Sequence, residues 1–347
     1  MFSLEKIVRE NIRQLVPYSS ARKEFEGEAQ IFLDANENPF GTLNRYPDPF
    51  QSELKVKLSG VKSIAPGNIF IGNGSDEVLD LAFRIFCEPA KDKVLAFYPS
   101  YGMYSVSANI NNVELIEIPL TEDFQFPETL TDTISKLSNL KMIIICSPNN
   151  PTGNTMNPEI IRTLLKDFEG IVIIDEAYID FSDKPSWLQE LQDFPNLIIM
   201  QTLSKAWALA SARIGMAYAS KEIIQLFNKI KPPYNVSSLN QKAAINALSQ
   251  IKTFNSNIRL IQKEKQRMIE LLHSIPSINQ VFPSDANFLL VQITDAKKVY
   301  KKLIGKGIVV RDRSNLLENC LRITIGKPEE NNQLLKCLKN AESTVLG

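Results

Sequence analysis

The sequence predicts an α/β fold: a large domain on a mostly parallel, doubly wound sheet flanked by helices, followed by a small α+β domain at the C-terminus. Three observations carry this prediction. First, short apolar runs recur through the middle of the chain without polar alternation, as strands covered on both faces do. Second, several are separated by stretches with helical patterning, and that alternation implies parallel strands joined by crossover helices. Third, beyond a long helical stretch the pattern changes to β-α-β-β-α. The length of 347 residues suits two domains of roughly 100–200 residues each.

In chain order, the first candidate strand is 68–71, which runs into GNGSDE at 72–77, a turn followed by a helix cap. A helix over 76–86 follows, then strands at 94–98, 113–118 and 142–146. SPNNPTG at 147–153 is strong turn chemistry. The helix over 159–168 has Pro158 near its start, where a missing N–H costs nothing. Strands at 171–175, 197–202 and 215–219 complete the sheet, and a long helix over 255–272 leads out of it. The small domain should contain a strand at 287–293, a helix at 295–306, strands at 307–311 and 321–325, and a helix at 329–338. The expected division is an N-terminal arm over 1–35 bordering the site, a large domain over 36–250 and a small domain over 251–347.

Composition removes several classes of function. The chain has 39 basic and 39 acidic side chains, so it lacks the cationic excess of a broad nucleic-acid surface. Apolar runs such as 142–146 and 171–174 fall far short of the roughly 20 residues of a membrane span. The N-terminal stretch has acidic residues and no apolar core, unlike a signal or transit peptide. A cytoplasmic protein is expected, with neither nucleic acid nor membrane as partner. Cys87, Cys146, Cys320 and Cys337 are scattered without a CxxC pair, which argues for reduced thiols rather than zinc ligands or disulfides. His273 is the sole histidine, so a His-clustered metal site is excluded. Acid–base chemistry near neutral pH falls to a lysine, tyrosine or carboxylate with a shifted pKa.

In open α/β sheets ligands bind beyond the carboxyl ends of the strands. GNGSDE, SPNNPTG, DEAY at 175–178 and TLSK at 202–205 all follow apolar runs, and Arg213 follows the lysine by eight residues. Singly, each has an ordinary structural explanation. GNGSDE is not GxGxxG, because position 77 is Glu, and IVIIDEA lacks the GxxxxGK[ST] loop that a triphosphatase needs. Together they form one inventory. A strand-end lysine can form a Schiff base or act as a base, and a carboxylate can keep a heteroaromatic nitrogen protonated. Hydroxyls, an arginine and a helix N-terminus suit a phosphate. The set fits pyridoxal phosphate.

At this point the chain resembles a known family over nearly its whole length, the fold-type-I pyridoxal-phosphate aminotransferases. NNPTG at 149–153, DEAY and SKAWALASARIG at 204–215 are the general marks. Within the family it is similar to the histidinol-phosphate aminotransferase branch, through RENIRQLVPYSSAR at 9–22, LDANENPFG at 33–41, NRYPD at 44–48, YPSYGMYSVSA at 98–108, GIVVRD at 307–312 and CLRITIG at 320–326. Trp207 departs mildly, where the family often has phenylalanine.

The resemblance implies residue roles. Lys205 would bind the cofactor covalently and then move the substrate's Cα proton. Asp175 would pair with the ring nitrogen, Asn150 and Tyr178 with the ring's 3′ oxygen, and Tyr101 would stack on the ring. Ser75, Asp76, Thr202, Ser204 and Arg213 would hold the cofactor phosphate, with Tyr46 reaching that of a neighbouring subunit in a homodimer. Arg322 would bind the glutamate carboxylate and the substrate phosphate in turn, Arg311 would assist with the phosphate, and Tyr18 and Asn36 would also border the substrate. The implied reaction is transamination between histidinol phosphate and 2-oxoglutarate, giving imidazole acetol phosphate and glutamate, in histidine biosynthesis. Rivals on the same fold are a threonine-phosphate decarboxylase and an aromatic amino-acid aminotransferase.

Overall fold

Seven strands form one sheet in the order β1-β7-β6-β5-β4-β2-β3: β1 (Ile69–Asn73), β2 (Lys93–Tyr98), β3 (Glu114–Pro119), β4 (Leu140–Cys146), β5 (Ile171–Asp175), β6 (Leu197–Thr202) and β7 (Ile214–Tyr218). The computed structural model describes residues 2–17 and 30–342. Strands β3, β2, β4, β5 and β6 pair in parallel, whereas β7 runs antiparallel to both β6 and β1. The chain between Thr202 and Ile214 is too short for a crossover, which takes a dozen or more residues, so β7 returns directly beside β6.

The uniform apolar runs are explained by cover on both faces. Ile71, Ile143, Ile145, Val172, Ile174 and Ile199 point into one buried cluster with Leu54, Leu58, Ile161 and Leu164. Phe70, Met142, Ile144, Ile171, Ile173 and Ile198 point into the other with Val78, Phe83, Tyr104 and Phe227. The period-two geometry of a strand divides neighbours between faces, and each such side chain contributes about 1.5–3 kcal/mol on burial. Helices Ser52–Lys62, Pro158–Asp167 and Ser238–Leu248 supply the first cover, and Ser75–Phe86, Met103–Ile110 and Lys221–Ile230 the second. Pro158 opens its helix, where the Asn157 side chain accepts from the Glu159 N–H.

The long helix Ile251–His273 starts earlier than its sequence pattern and ends on the sole histidine. It packs into a separate core with β8 (Ile278–Val281), β9 (Phe288–Ile293), β10 (Arg311–Asp312), β11 (Cys320–Thr324) and helices Ala296–Gly305 and Pro328–Glu342. These strands form an antiparallel sheet in the order β10-β11-β9-β8. Two details differ from expectation. Strand β8 was not foreseen, because INQV is only partly buried and has no apolar run. The strand expected over 307–311 is reduced to the two residues of β10. Gly307 adopts φ +73°, and the Ile308 N–H turns back to the Leu303 carbonyl at 2.9 Å instead of joining a ladder. No helix among the described residues is long and apolar enough to cross a membrane.

Candidate active site

The reversed strand β7 shapes the site. Thr202 of β6 lies opposite Gly215, and Asn73 of β1 opposite Ile214, so the exits of β1 and β6 meet the entrance of β7. Cys146 and Asp175 are in register next door at the ends of β4 and β5. Around these ends is a cavity of about 340 Å³ lined by Ser75, Asp76, Tyr101, Asn150, Asp175, Tyr178, Thr202, Ser204, Lys205 and Arg213 from the large-sheet side. Arg311 and Arg322 reach it from the small sheet, and Cys146, Ala177 and Arg313 complete the lining. Clefts of about 810 and 880 Å³ beside the N-terminal segment are larger. The smaller cavity is singled out by its convergent lysine, carboxylates and arginines.

Asp175 is 3% exposed. Its Oδ2 accepts from the Tyr104 hydroxyl at 2.8 Å and its Oδ1 from the Ala177 N–H at 3.0 Å. Burial raises its pKa to about 6 from 3.8, against the pull of those two donors. The carboxylate is therefore charged at neutral pH but under strain that a nearby cation would relieve. Glu176 is directed elsewhere: its carboxylate accepts from Ser186 Oγ at 2.6 Å, Trp187 N at 2.7 Å and Gln201 Nε2 at 2.8 Å.

A stability consequence follows. A folded-state pKa above the unfolded one gives stability that is present below about pH 4 and lost as pH rises through about 6. At about 1.4 kcal/mol per factor of ten, the loss is on the order of 3 kcal/mol. In ligand-free protein, urea midpoints should show Asp175→Asn more stable than wild type at pH 7, with the difference vanishing near pH 4. Equal midpoints at both pH values would refute the strain at this carboxylate.

An anion cup lies at the start of helix Ser75–Phe86. Gly74, with φ +82°, leads into the helix, and no side chain caps its first N–H groups. Such a terminus favours a negative charge. Arg213, itself left-handed at φ 51°, places Nη2 3.3 Å from Asp76 Oδ2. The Tyr101 hydroxyl donates to Asp76 Oδ1 at 3.3 Å. Thr202 Oγ1 lies 3.0 Å from Ser204 Oγ and accepts from the Ser204 N–H at 3.1 Å. The cup depends on close backbone approach: a Cβ at Gly215 would come within 2.1 Å of the Ser75 nitrogen. Asn235 supports it from behind, donating to the Ile71 carbonyl at 3.0 Å and to Glu77 Oε2 at 2.9 Å.

Lys205 sits in the turn after β6, with Nζ 5.7 Å from the Tyr178 ring centroid. Burial, and then the Arg322 charge, lower its pKa, the direction that makes an amine available as nucleophile and base. Asn149 and Asn150 divide their work. Asn149 locks the NNPTG turn by donating to the Pro99 carbonyl at 2.9 Å and to Thr152 Oγ1 at 2.8 Å. Asn150 Oδ1 accepts from Arg322 Nη1 at 2.6 Å and so ties the two sheets together across the cavity. The Arg322 guanidinium also lies 5.2 Å from the Phe288 ring, and Arg311 stands opposite it in the β10–β11 ladder.

Two other expected residues, Tyr46 and Asn36, are not among those that line this cavity. Tyr46 is 50% exposed and stacks on Tyr234 at 4.4 Å, and Asn36 is exposed. Tyr18 lies outside the described residues. Trp207 is buried in a 3.9 Å stack on Phe254, with its Nε1 left without a partner. Sequence reasoning missed Tyr104, Asn235 and Arg313. Tyr104 and Asn235 act through hydrogen bonds between residues 71 and 158–164 positions apart, which no local pattern reports. Arg313 had a signal, its two-residue spacing from Arg311.

Comparison with known proteins agrees with this geometry. The family model for aminotransferase class I and II matches residues 20–338. The histidinol-phosphate aminotransferase of Flavobacterium psychrophilum is 51% identical over 344 residues, covering 97% of this chain and 99% of that protein. The solved histidinol-phosphate aminotransferase from Clostridium acetobutylicum is 29% identical with a TM-score of 0.79, covering 87% of this chain and 92% of that one. That from Sinorhizobium meliloti, in complex with pyridoxal-5'-phosphate, is 25% identical with a TM-score of 0.79 over 87% of this chain and 84% of its own. The chain belongs to the aminotransferase class I and II family.

Proposed function

We propose that the chain is a pyridoxal-phosphate-dependent transaminase that exchanges an amino group between histidinol phosphate and 2-oxoglutarate. The observation that carries this reading is one cavity with two separate cationic receptors, Arg213 on the large-sheet side and Arg311 with Arg322 on the small-sheet side, and Lys205 among them. The similarity to histidinol-phosphate aminotransferases at about half identity supports the choice of substrate.

The residues present fit the cofactor. Asp175 is a carboxylate whose pKa burial raises even with the Lys205 charge nearby, so a pyridinium nitrogen beside it would be favoured. The uncapped helix N-terminus at Ser75 and Asp76, with Arg213, Thr202 and Ser204, would hold its phosphate. When bound, the ring supplies an electron sink for the bond broken at the substrate's Cα. Tyr101 would cover the ring, and Asn150 and Tyr178 would orient its oxygen. Lys205 would anchor the cofactor and, once displaced by an amino donor, take the proton from Cα through Nζ. Arg322 would bind the carboxylate of glutamate in one half-reaction and the phosphate of histidinol phosphate in the other.

A homodimer is part of the proposal. Tyr46 is exposed and does not line its own cavity, and it is fixed in place by the Tyr234 stack and by its N–H to Glu37 Oε1 at 2.7 Å. It is therefore available to complete the cofactor-phosphate site of a second copy, while Tyr18 and Asn36 would border the substrate. The reaction is one of cytoplasmic biosynthesis.

The test is a half-reaction screen that follows loss of the cofactor's visible absorption on adding each amine. Histidinol phosphate and glutamate should react. Histidinol without its phosphate should be about 30- to several-thousand-fold poorer, since losing a hydrogen-bonded charge pair costs about 2–5 kcal/mol. Equal rates for histidinol and its phosphate, or a better rate for phenylalanine, would sink the substrate assignment. Release of carbon dioxide from threonine phosphate would make the protein a decarboxylase.

A further inference from the structure

The resemblance assigns substrate roles to Arg311 and Arg322 but none to Arg313, which lines the same cavity. In an extended chain, residues two apart share a face, and Arg311 and Arg313 are so spaced at the mouth of the small sheet. The Arg313 backbone is held from both sides. Its N–H donates to the Cys320 carbonyl at 2.9 Å, and its carbonyl accepts from Leu316 at 2.8 Å and Leu317 at 2.9 Å. Its side chain, by contrast, is unprovided for. The Arg313 Nε is buried without a partner, as are the neighbouring Ser314 Oγ and the Arg322 Nε. Among the described residues none of the three arginines makes an ion pair. Burial and then the charges of Arg322 and Arg311 lower the pKa of Arg313, a sign of mutual repulsion in a shared space.

Arg313 and Arg322 are half-buried and Arg311 is exposed at the cavity's edge. Cations gathered without a counter-ion repel one another, and three lining one cavity call for an anion of more than one charge. A carboxylate offers one charge and two oxygens, which a single guanidinium satisfies through two parallel hydrogen bonds. A phosphate monoester offers up to two charges and three oxygens, enough for several forks at once. We propose that Arg313 is the third guanidinium of the substrate-phosphate receptor and the residue that makes it prefer a phosphate ester to a carboxylate. Arg322 serves both substrates, Arg311 assists with the phosphate, and Arg313 widens the gap between them. This inference rests on the transaminase reading above, and deepens it.

The experiment compares wild type with Arg313→Gln and Arg313→Lys as cofactor-loaded holoenzymes, in separate half-reactions with histidinol phosphate, histidinol and glutamate. Removing one charged hydrogen-bonding partner should raise KM for histidinol phosphate about 10- to 100-fold with little change in kcat. The ratio of kcat/KM for histidinol phosphate to that for glutamate should fall by a similar factor. Inorganic phosphate, as a competitive inhibitor of the glutamate half-reaction, should weaken in parallel. Arg313→Lys, which keeps the charge without the fork, should fall between the two and remains informative if Arg313→Gln does not fold. An unchanged ratio, or equal loss with both substrates, overturns the role of Arg313. If wild type itself fails to prefer histidinol phosphate to histidinol, it is the proposed substrate that has failed.

Discussion

Lys205→Ala should be inactive in both half-reactions. General-base catalysis alone is worth about 10²–10⁴-fold, and this variant also loses the covalent anchor, so the drop should exceed that range. The purified wild type should carry a visible absorption band that hydroxylamine removes, and the variant should lack that linkage. Among the described residues that line the cavity Lys205 is the sole lysine, and its depressed pKa, caused first by burial and then by Arg322, suits it to the role. Turnover near the wild-type rate would overturn the assignment of the whole site. The same variant tests assembly. Tyr46→Ala should also be weak as a homodimer, yet mixed dimers of the two variants should regain activity, because one site in each mixed dimer has both residues intact. Failure of subunit mixing to restore turnover, with exchange verified by mass, would remove Tyr46 from the partner's site.

Arg322→Lys should damage both half-reactions, by about 30- to several-thousand-fold in kcat/KM, the equivalent of about 2–5 kcal/mol. The substitution keeps the charge, so the loss tests geometry. The guanidinium bonds Asn150 Oδ1 at 2.6 Å while lying 5.2 Å from the Phe288 ring, and a fork can hold those contacts while its remaining N–H groups face an incoming anion. A lysine ammonium is a point donor on a flexible stem and cannot do both. Arg311→Ala, by contrast, should weaken mainly the reaction with histidinol phosphate. Steady-state kinetics with each amino donor, alongside circular dichroism to verify folding, distinguishes these patterns. A loss confined to one donor in Arg322→Lys would show that two receptors, rather than one shared arginine, serve the two substrates.

The large sheet was legible because its strands are buried on both faces, so β4, β5 and β6 appear as unbroken apolar runs in the sequence. Strand direction was less so: the reversal of β7 depends on how little chain separates Thr202 from Ile214. In the small sheet, β8 exposes two polar residues and packs only its ends, leaving no periodic signal. The residues at the strand ends were readable as a set because polar, glycine or charged residues follow each of these apolar runs within a few positions. Tyr104 was not, since its partner Asp175 is reached only through folding. Arg313 was visible as a letter two places from Arg311, but nothing local says that its Nε would be buried without a partner.

The neighbouring acids at the end of β5 have a consequence for how the chain reaches its working state. Asp175 faces the cavity, while Glu176 is committed to Ser186, Trp187 and Gln201. A one-residue slip in strand pairing sends every side chain to the opposite face. Here a slip one way would bring Glu176 to the cavity, parted from its three donors, and push Asp175 into the apolar place of Ile174. A slip the other way would bring Ile174 to the cavity and leave the shorter Asp175 among those donors. Either slip parts Asp175 from the Tyr104 hydroxyl and so loses the carboxylate held at this place in the cavity. Retention of the proposed cofactor would therefore report on β-sheet register, and during refolding the recovery of its absorption should mark correctly threaded molecules rather than merely collapsed ones.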